Sequence, residues 1–338
     1  MTRQARYFDI LDRVREAHVQ RRLFVSLCDW DDRRLKRCES AGLVLRLYRH
    51  VFAMPDYWEG LPTDEKIRKL AWAISTVYPD TVFCGATAAL LLGLGSCYPL
   101  LGACEILSER SSHRDAFEWV AYRRWRAGDT WNVGPYVVTE PRRTVADIAR
   151  TAPFRYALGY ADALVREYGY EDGELREFAR CHCRGLHGIR RIFEVADCTD
   201  GKSDNGGESE ARAAMILAGI ETPELQVEID RLWGGRYYLA DFGWRRSDGS
   251  WLLGELHGLG KFMPDDYVSA EDRFLNGELA PAQEKASATY RDALIRDANL
   301  RQLGHKVIHF KLSDTYDVEA FGRWLRRMGA PSCHIDAA

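Results

Sequence analysis

The stretch LADFGWRRSDGSWLLGELHGLGK, residues 239–261, constrains this chain more than any other. Two apolar runs flank the turn sequence Ser247-Asp248-Gly249-Ser250. Each run carries an acid where a buried strand has no use for one, Asp241 in the first and Glu255 in the second. His257 and Lys261 follow. Glu255 and His257 are two residues apart, so on a strand both project from one face. Two carboxylates with a basic neighbour suit a divalent cation beside a phosphodiester. Mg2+ takes one or two carboxylates together with substrate phosphate and water, and the bound ion activates that water.

The flanking sequence reads as helix, three strands, helix, strand and closing helix. ESEARAAMILAGI is helical, with Ala211, Met215 and Ala218 along one face and Gly219 at its end. ELQVEIDRLW alternates Leu225, Val227 and Ile229 as a half-buried strand. Gly234-Gly235 turns into the strand RYYLADFGW, and WLLGELHG follows. APAQEKASATYRDALIRDANLRQLGH is a long helix, KVIHFKL a last strand and YDVEAFGRWLRRM the final helix. Order and residues together resemble the restriction-endonuclease-like nucleases, an α/β/α sandwich with an acid on one central strand and E-x-K on the next. The resemblance implies Asp241 and Glu255 as ligands of Mg2+ (or Mn2+), with Glu208 or Glu210 on the first helix assisting. His257 stands where lysine is usual, and Lys261 is a second candidate for that role.

Net charge is −3, from 47 Lys/Arg and 50 Asp/Glu. Residues 1–50 carry 12 Lys/Arg against 7 Asp/Glu, so +5, leaving −8 for the remainder. A basic head on an acidic body points to nucleic acid. Within it, ARYFDILDRVREAH spaces Phe8, Leu11 and Val14 as an amphipathic helix, and RLFVSLCDW reads as a second short helix. DDRRLKRCESAGL is a basic helix capped by Asp, ended at Gly42 and exposing Arg33, Arg34, Lys36 and Arg37. LVLRLYRHVFAMP is a β-wing carrying Arg46 and Arg49. Helix, helix, basic helix and wing describe a winged helix-turn-helix, whose last helix enters the major groove while the wing holds the backbone. The plainer alternative is a small helical subdomain with a solvated basic face.

Between these ends, VFCGATAALLLGLG reads as a strand feeding a small-residue helix. YVVTEPRRTVADIAR reads as strand, turn and helix with Thr144 as cap. Long helices follow through YALGYADALVREYG and GELREFARCHCRGLHGIRRIFEVAD. Cys181, His182, Cys183 and His187 lack zinc-site spacing, and a helix splays C-x-C by about 200°, so they read as a packed, reduced helix. DGKSDNGGESE, residues 200–210, is the clearest break. The expected organisation is multidomain α+β and α/β. It comprises a winged helix over 1–58, a mixed middle domain over 59–200 and the nuclease-like sandwich over 205–330.

A wider resemblance covers most of the chain. LKRCESAGLVLRLYRHVFAMP is similar to the N-terminal domain of AbiEi-family antitoxins, and VFCGATAALLLGL and VTEPRRTVADIA resemble the blocks that follow there. ESEARAAMILAGIETPELQ, ADFGW, ELHGLGKF and RDANLRQLGHKVIHF resemble a very-short-patch-repair-like endonuclease domain, with Gln226 and Lys261 at recurrent positions and Glu284-Lys285 as a further pair. The resemblance implies a DNA-binding regulator with a metal-dependent nuclease-like domain, a cognate toxin as partner beside DNA, and phosphodiester hydrolysis. The alternatives are a repressor or antitoxin whose nuclease fold is inactive and serves as scaffold, and a pure protein-interaction module. Nine cysteines, an odd number, suit reduced thiols. The polar N-terminus and the lack of a long apolar run point to a cytoplasmic protein away from membranes.

Overall fold

The computed structural model describes residues 5–95, 97–108, 117–125, 128–171, 173–231, 237–257 and 294–333. They form a mixed α+β architecture with three sheets, and the chain divides into two compact units, Met1–Thr199 and Asp200–Ala338.

The first unit opens with α1 (Ala5–Val19), β1 (Phe24–Val25), α2 (Asp29–Ser40), β2 (Leu45–Tyr48) and β3 (Val51–Ala53). The strands form an antiparallel sheet in the order β1-β3-β2. The second helix expected over RLFVSLCDW is therefore replaced by a strand. Phe24 and Val25 pair with Phe52 and Val51 of β3, and Ser26 N–H donates to the His50 carbonyl at 2.8 Å. Aromatic and β-branched residues gain a sheet partner there, which an isolated helical turn does not offer. Ile10, Leu11, Val14 and Ala17 of α1 close over Leu35, Cys38, Val44 and Phe52.

The chain continues through α3 (Pro55–Glu59) and α4 (Thr63–Val77) into a five-stranded sheet of order β6-β5-β4-β8-β7. Its strands are β4 (Val82–Phe83), β5 (Cys104–Leu107), β6 (Val120–Arg123), β7 (Thr130–Val133) and β8 (Tyr136–Thr139). Against it lie α4 and α5 (Gly85–Leu91), with α6 (Pro141–Thr151) packed on α5 and α7 (Phe154–Tyr168) on α6. Glu140, rather than Thr144, caps α6: its carboxylate accepts the Arg143 N–H at 2.9 Å. Thr144 sits one turn further in, with its hydroxyl donating to the Thr139 carbonyl at 2.9 Å. The single helix expected over residues 173–197 is two, α8 (Glu174–His182) and α9 (Ile189–Asp197). Gly185 and Gly188 break it in the left-handed region, at φ 75° and 84°. At Gly188 a Cβ would lie 3.0 Å from the Arg150 Cβ and closer still to the Arg150 carbonyl oxygen.

The second unit contains α10 (Gly206–Leu217), β9 (Glu224–Ile229), β10 (Tyr238–Arg245), β11 (Trp251–His257), a helix over residues 294–302, β12 (Lys306–Lys311) and α11 (Val318–Met328). Its sheet runs β12-β11-β10-β9, with β11 and β12 parallel and the other pairs antiparallel. Asn205 starts α10 by accepting the N–H groups of Gly207 and Glu208 at 2.9 and 3.1 Å. The β10–β11 turn closes through Arg246 N–H to the Ser250 carbonyl, with Gly249 at φ 82° and the Asp248 carboxylate accepting Ser250 N–H at 2.9 Å. Gly234-Gly235, Lys261, Glu284 and Lys285 lie outside the described residues, as do residues 280–293 of the stretch expected to be a long helix.

Both faces of this sheet are covered, and β9 and β10 change face midway. Leu225, Phe242 and Trp244 pack with Ala211 and Met215 of α10 and Phe321 and Leu325 of α11. Val227, Ile229 and Ala240 pack instead with Trp251, Leu253, Val307 and Leu300 of the 294–302 helix. The alternation Leu225, Val227, Ile229 thus does not line one face. The cause is Gln226, whose φ of 49° rotates the chain between Leu225 and Val227. Among the described residues, no helix is long and apolar enough to cross a membrane.

Candidate functional site

The switch point carries the polar residues. The β9–β10 register pairs Ala240 with Val227 and Phe242 with Leu225, which leaves Asp241 against Gln226. The β10–β11 register pairs Phe242 with Gly254, so one step further Asp241 stands against Glu255. Glu255 is paired with His309 on β12. Gln226, Asp241, Glu255 and His309 therefore form one row across all four strands.

Each member is held. Asp241 Oδ2 accepts the backbone N–H of Leu256 at 2.8 Å. Glu208, buried at the start of α10, accepts from Asp204 N–H at 2.8 Å, Asn205 Nδ2 at 2.6 Å and Gln226 Nε2 at 3.2 Å. Glu255, 9% exposed, is ion-paired through Oε1 with Arg296, whose guanidinium also donates to the Leu239 carbonyl at 2.9 Å. Asp297 beside it bonds His309 Nε2 at 2.6 Å, and the His309 ring stacks parallel on His257 with centroids 4.8 Å apart.

The electrostatics tie Glu208, Asp241 and Glu255 into one cluster. Burial pushes the Glu208 carboxyl up to about 7, and the charge of Asp241 adds to the rise. Burial also raises Glu255 to about 7; Arg296 opposes the shift and Asp241 reinforces it. His257 is held below its ordinary range, first by burial and then by the charge of His309. Of the two acids expected on α10, Glu208 is the one that reaches Gln226. Glu210 is two residues on, about 200° around the helix. Arg296, Asp297 and His309 were not singled out from the sequence. They lie in the block RDANLRQLGHKVIHF quoted for the resemblance, which gives them no individual role.

Among the described residues, no three His, Cys, Asp or Glu side chains are grouped so as to hold a metal ion. Cys181 is exposed against Glu177 at 3.2 Å, whereas Cys183 is buried past the end of α8.

In the head, Arg33, Lys36 and Arg37 are exposed on α2, with Lys36 3.5 Å from Asp32. Arg34, expected on the same face, is buried. It lies on the stripe shared by Asp31, Leu35 and Cys38, 3.5 Å from Asp9 and 4.3 Å over the Trp30 ring. The wing arginines are half-buried as well. Arg46 donates from Nε and Nη2 to the Arg49 carbonyl at 3.0 and 2.8 Å and lies over Phe117, while Arg49 lies over Tyr48 and Tyr78. Of the six basic side chains expected to meet DNA, three of α2 thus remain exposed, Arg33, Lys36 and Arg37.

No family model matches the chain. It is similar to two uncharacterized proteins of Mycobacterium tuberculosis, from strains CDC 1551 and H37Rv, each 29% identical over 178 residues. That match takes in 53% of this chain and 56% of each relative, so the chain spans about half the length of the curated relatives it matches.

Gln226 offers a direct test of the row. A non-glycine residue in the left-handed region costs about 1–2 kcal/mol, and one hydrogen bond returns about 1 kcal/mol. Gln226→Gly is therefore expected to leave stability within about 1 kcal/mol of wild type. Gln226→Val, β-branched and without the bond to Glu208, is expected to lose about 2 kcal/mol or more. Urea unfolding compares the two, and equal losses would refute the strain argument.

Proposed function

We propose that this chain is a DNA-binding regulator of the AbiEi antitoxin type whose second unit carries a nuclease-like phosphodiester site. The carrying observation is the cluster of Glu208, Asp241 and Glu255 on a buried switch point, with two of its carboxyls raised to about 7. Groups held so far from their ordinary range collect at functional sites. The sheet, with α10 and α11 on one face and the 294–302 helix on the other, supports the restriction-endonuclease-like reading. In the head, the α1-β1-α2-β2-β3 order supports a winged-helix relative that lacks one helix of the full motif.

The donor set is all oxygen, which fits Mg2+ or Mn2+ and not zinc. Asp241 and Glu255 would hold the ion, within the one or two carboxylates that magnesium takes. The ion supplies a polarised phosphate and a more acidic water. The chain's own groups do the rest. Glu208 fixes Gln226 and adds negative potential to the site. His257, neutral at neutral pH, takes a proton at a ring nitrogen. Arg296 presents a planar fork to a phosphate oxygen. Arg33, Lys36 and Arg37 contact the DNA backbone, and a cognate toxin is the protein partner that the resemblance suggests.

One observation favours a second reading. The Arg296 guanidinium already neutralises Glu255, as it would in a scaffold that has given up its metal. Calorimetric titration of Mg2+ and Mn2+ into wild type, Asp241→Ala and Glu255→Ala, followed by plasmid nicking on the same samples, separates the two. Binding and nicking in wild type, lost by at least about a hundredfold in both variants, establish the nuclease. No binding in wild type leaves a DNA-reading scaffold.

A further inference from the structure

On α6 two arginines share one acid. Arg123 is matched by Glu105, with Nε 2.7 Å from Oε1, and Arg142 by Glu140 at the same distance. Arg143 and Arg150 share a single carboxylate. Arg143 Nε donates to Asp147 Oδ2 and Arg150 Nε to Asp147 Oδ1, each at 2.6 Å. Asp147 is 1% exposed and Arg143 5%. Two guanidinium groups thus share one carboxylate. Among the described residues, the Nη2 of Arg143 is buried with no hydrogen-bond partner.

The surroundings are shaped for a planar fork and a flat ring. The Arg150 guanidinium lies 4.9 Å from the centroid of Trp125, and Arg123 lies 5.6 Å from the same ring. Gly128, at φ 61°, borders Arg143, with Nη1 at ordinary contact distance (3.8 Å) from where a Cβ would stand. A buried donor without an acceptor is costly. An oxyanion supplies that acceptor. Two arginine forks side by side match the several acceptor oxygens of a phosphate better than the two of a carboxylate.

We propose that Arg143, Arg150 and Trp125 form a binding site for a phosphate oxyanion, either free phosphate or the phosphate of a small monoester. The site belongs to the first unit and does not depend on the carboxylate chemistry of the second.

The test uses the full chain at constant ionic strength, titrated with inorganic phosphate and, separately, with ribose 5-phosphate against a chloride control. Affinity is read by calorimetry and tryptophan emission. Saturable binding is expected in wild type, with an emission change lost in Trp125→Phe. Arg143→Lys keeps the charge but loses the fork, and is expected to weaken binding at least tenfold with an unchanged circular dichroism spectrum. Tighter binding of ribose 5-phosphate identifies a monoester as the ligand; equal or weaker binding identifies free phosphate. The proposal is overturned if neither compound binds wild type more than chloride does, or if Arg143→Lys and Arg150→Lys both bind as wild type. Because the wild-type titration alone can overturn it, a variant that fails to fold does not shelter the idea.

Discussion

Raising the pH from about 5 to about 8 is expected to weaken the second unit by about 3 kcal/mol or more, and Mg2+ at the higher pH to return much of that loss. The two carboxyls responsible are Glu208 and Glu255, both raised to about 7. Unfolded, each titrates near its ordinary value of about 4.3. A carboxyl raised by folding adds stability that is complete below the unfolded value and lost as pH climbs through the folded one. The loss therefore falls between about pH 4.5 and 7, opposite in sign to that of a surface salt bridge. A shift of this size is worth about 3 kcal/mol for one group. The pair should give less than twice that, because both shifts include the charge of Asp241. Guanidinium unfolding of the second unit's transition at several pH values measures the slope. Glu255→Gln and Glu208→Gln should each flatten it, and an unchanged slope in both would show that other groups are responsible. The cation arm speaks to function: a metal site must be stabilised by Mg2+ more strongly as these carboxyls deprotonate. A protein that relies on Arg296 as its internal counter-charge will not respond.

The strands of this site were readable because their residues report local facts. Trp251–His257 and Lys306–Lys311 are short, largely apolar runs, as strands covered on both faces are, and Ser247 to Ser250 spell a turn. The acids Asp241 and Glu255 were legible because a charge in an apolar run has no local excuse. What escaped the sequence was long-range. Nothing local tells that Gln226 adopts a left-handed backbone and switches β9 between two cores. Arg296 looks like an ordinary helix residue until the fold sets it against Glu255, 41 positions away. Arg34 reads as exposed from the charge of its neighbours, yet the helical period of α2 turns it inward beside Asp31. Likewise RLFVSLCDW has the composition of either element, and only the pairing with β3 decides for a strand. Periodicity fixes elements, whereas partners fix faces and charges.

Gly85→Ala is expected to bring the first unit close to unfolding, with a loss of about 4 kcal/mol or more. The sequence marks this glycine only as one of several small residues in VFCGATAALLLGLG. Its backbone sits at φ 55°, where any side chain costs about 1–2 kcal/mol. The larger part comes from across the sheet. A Cβ at position 85 would lie 2.8 Å from Glu105 Cδ and collide with Glu105 Oε2. That oxygen accepts the Ala86 N–H at 2.6 Å, while Oε1 holds Arg123. Glu105 is 6% exposed, so swinging into water would strand the buried Ala86 N–H and give up the pair with Arg123. Breaking a buried charged contact from one side costs about 3–5 kcal/mol, against a whole-domain stability of about 5–15 kcal/mol. Chemical unfolding of Gly85→Ala, Glu105→Ala and the double variant measures the coupling. If the collision is the cause, the double variant loses at least about 1 kcal/mol less than the sum of the singles. Strict additivity would assign the whole effect to backbone strain, and would remove Glu105 as the reason that this turn into α5 requires glycine.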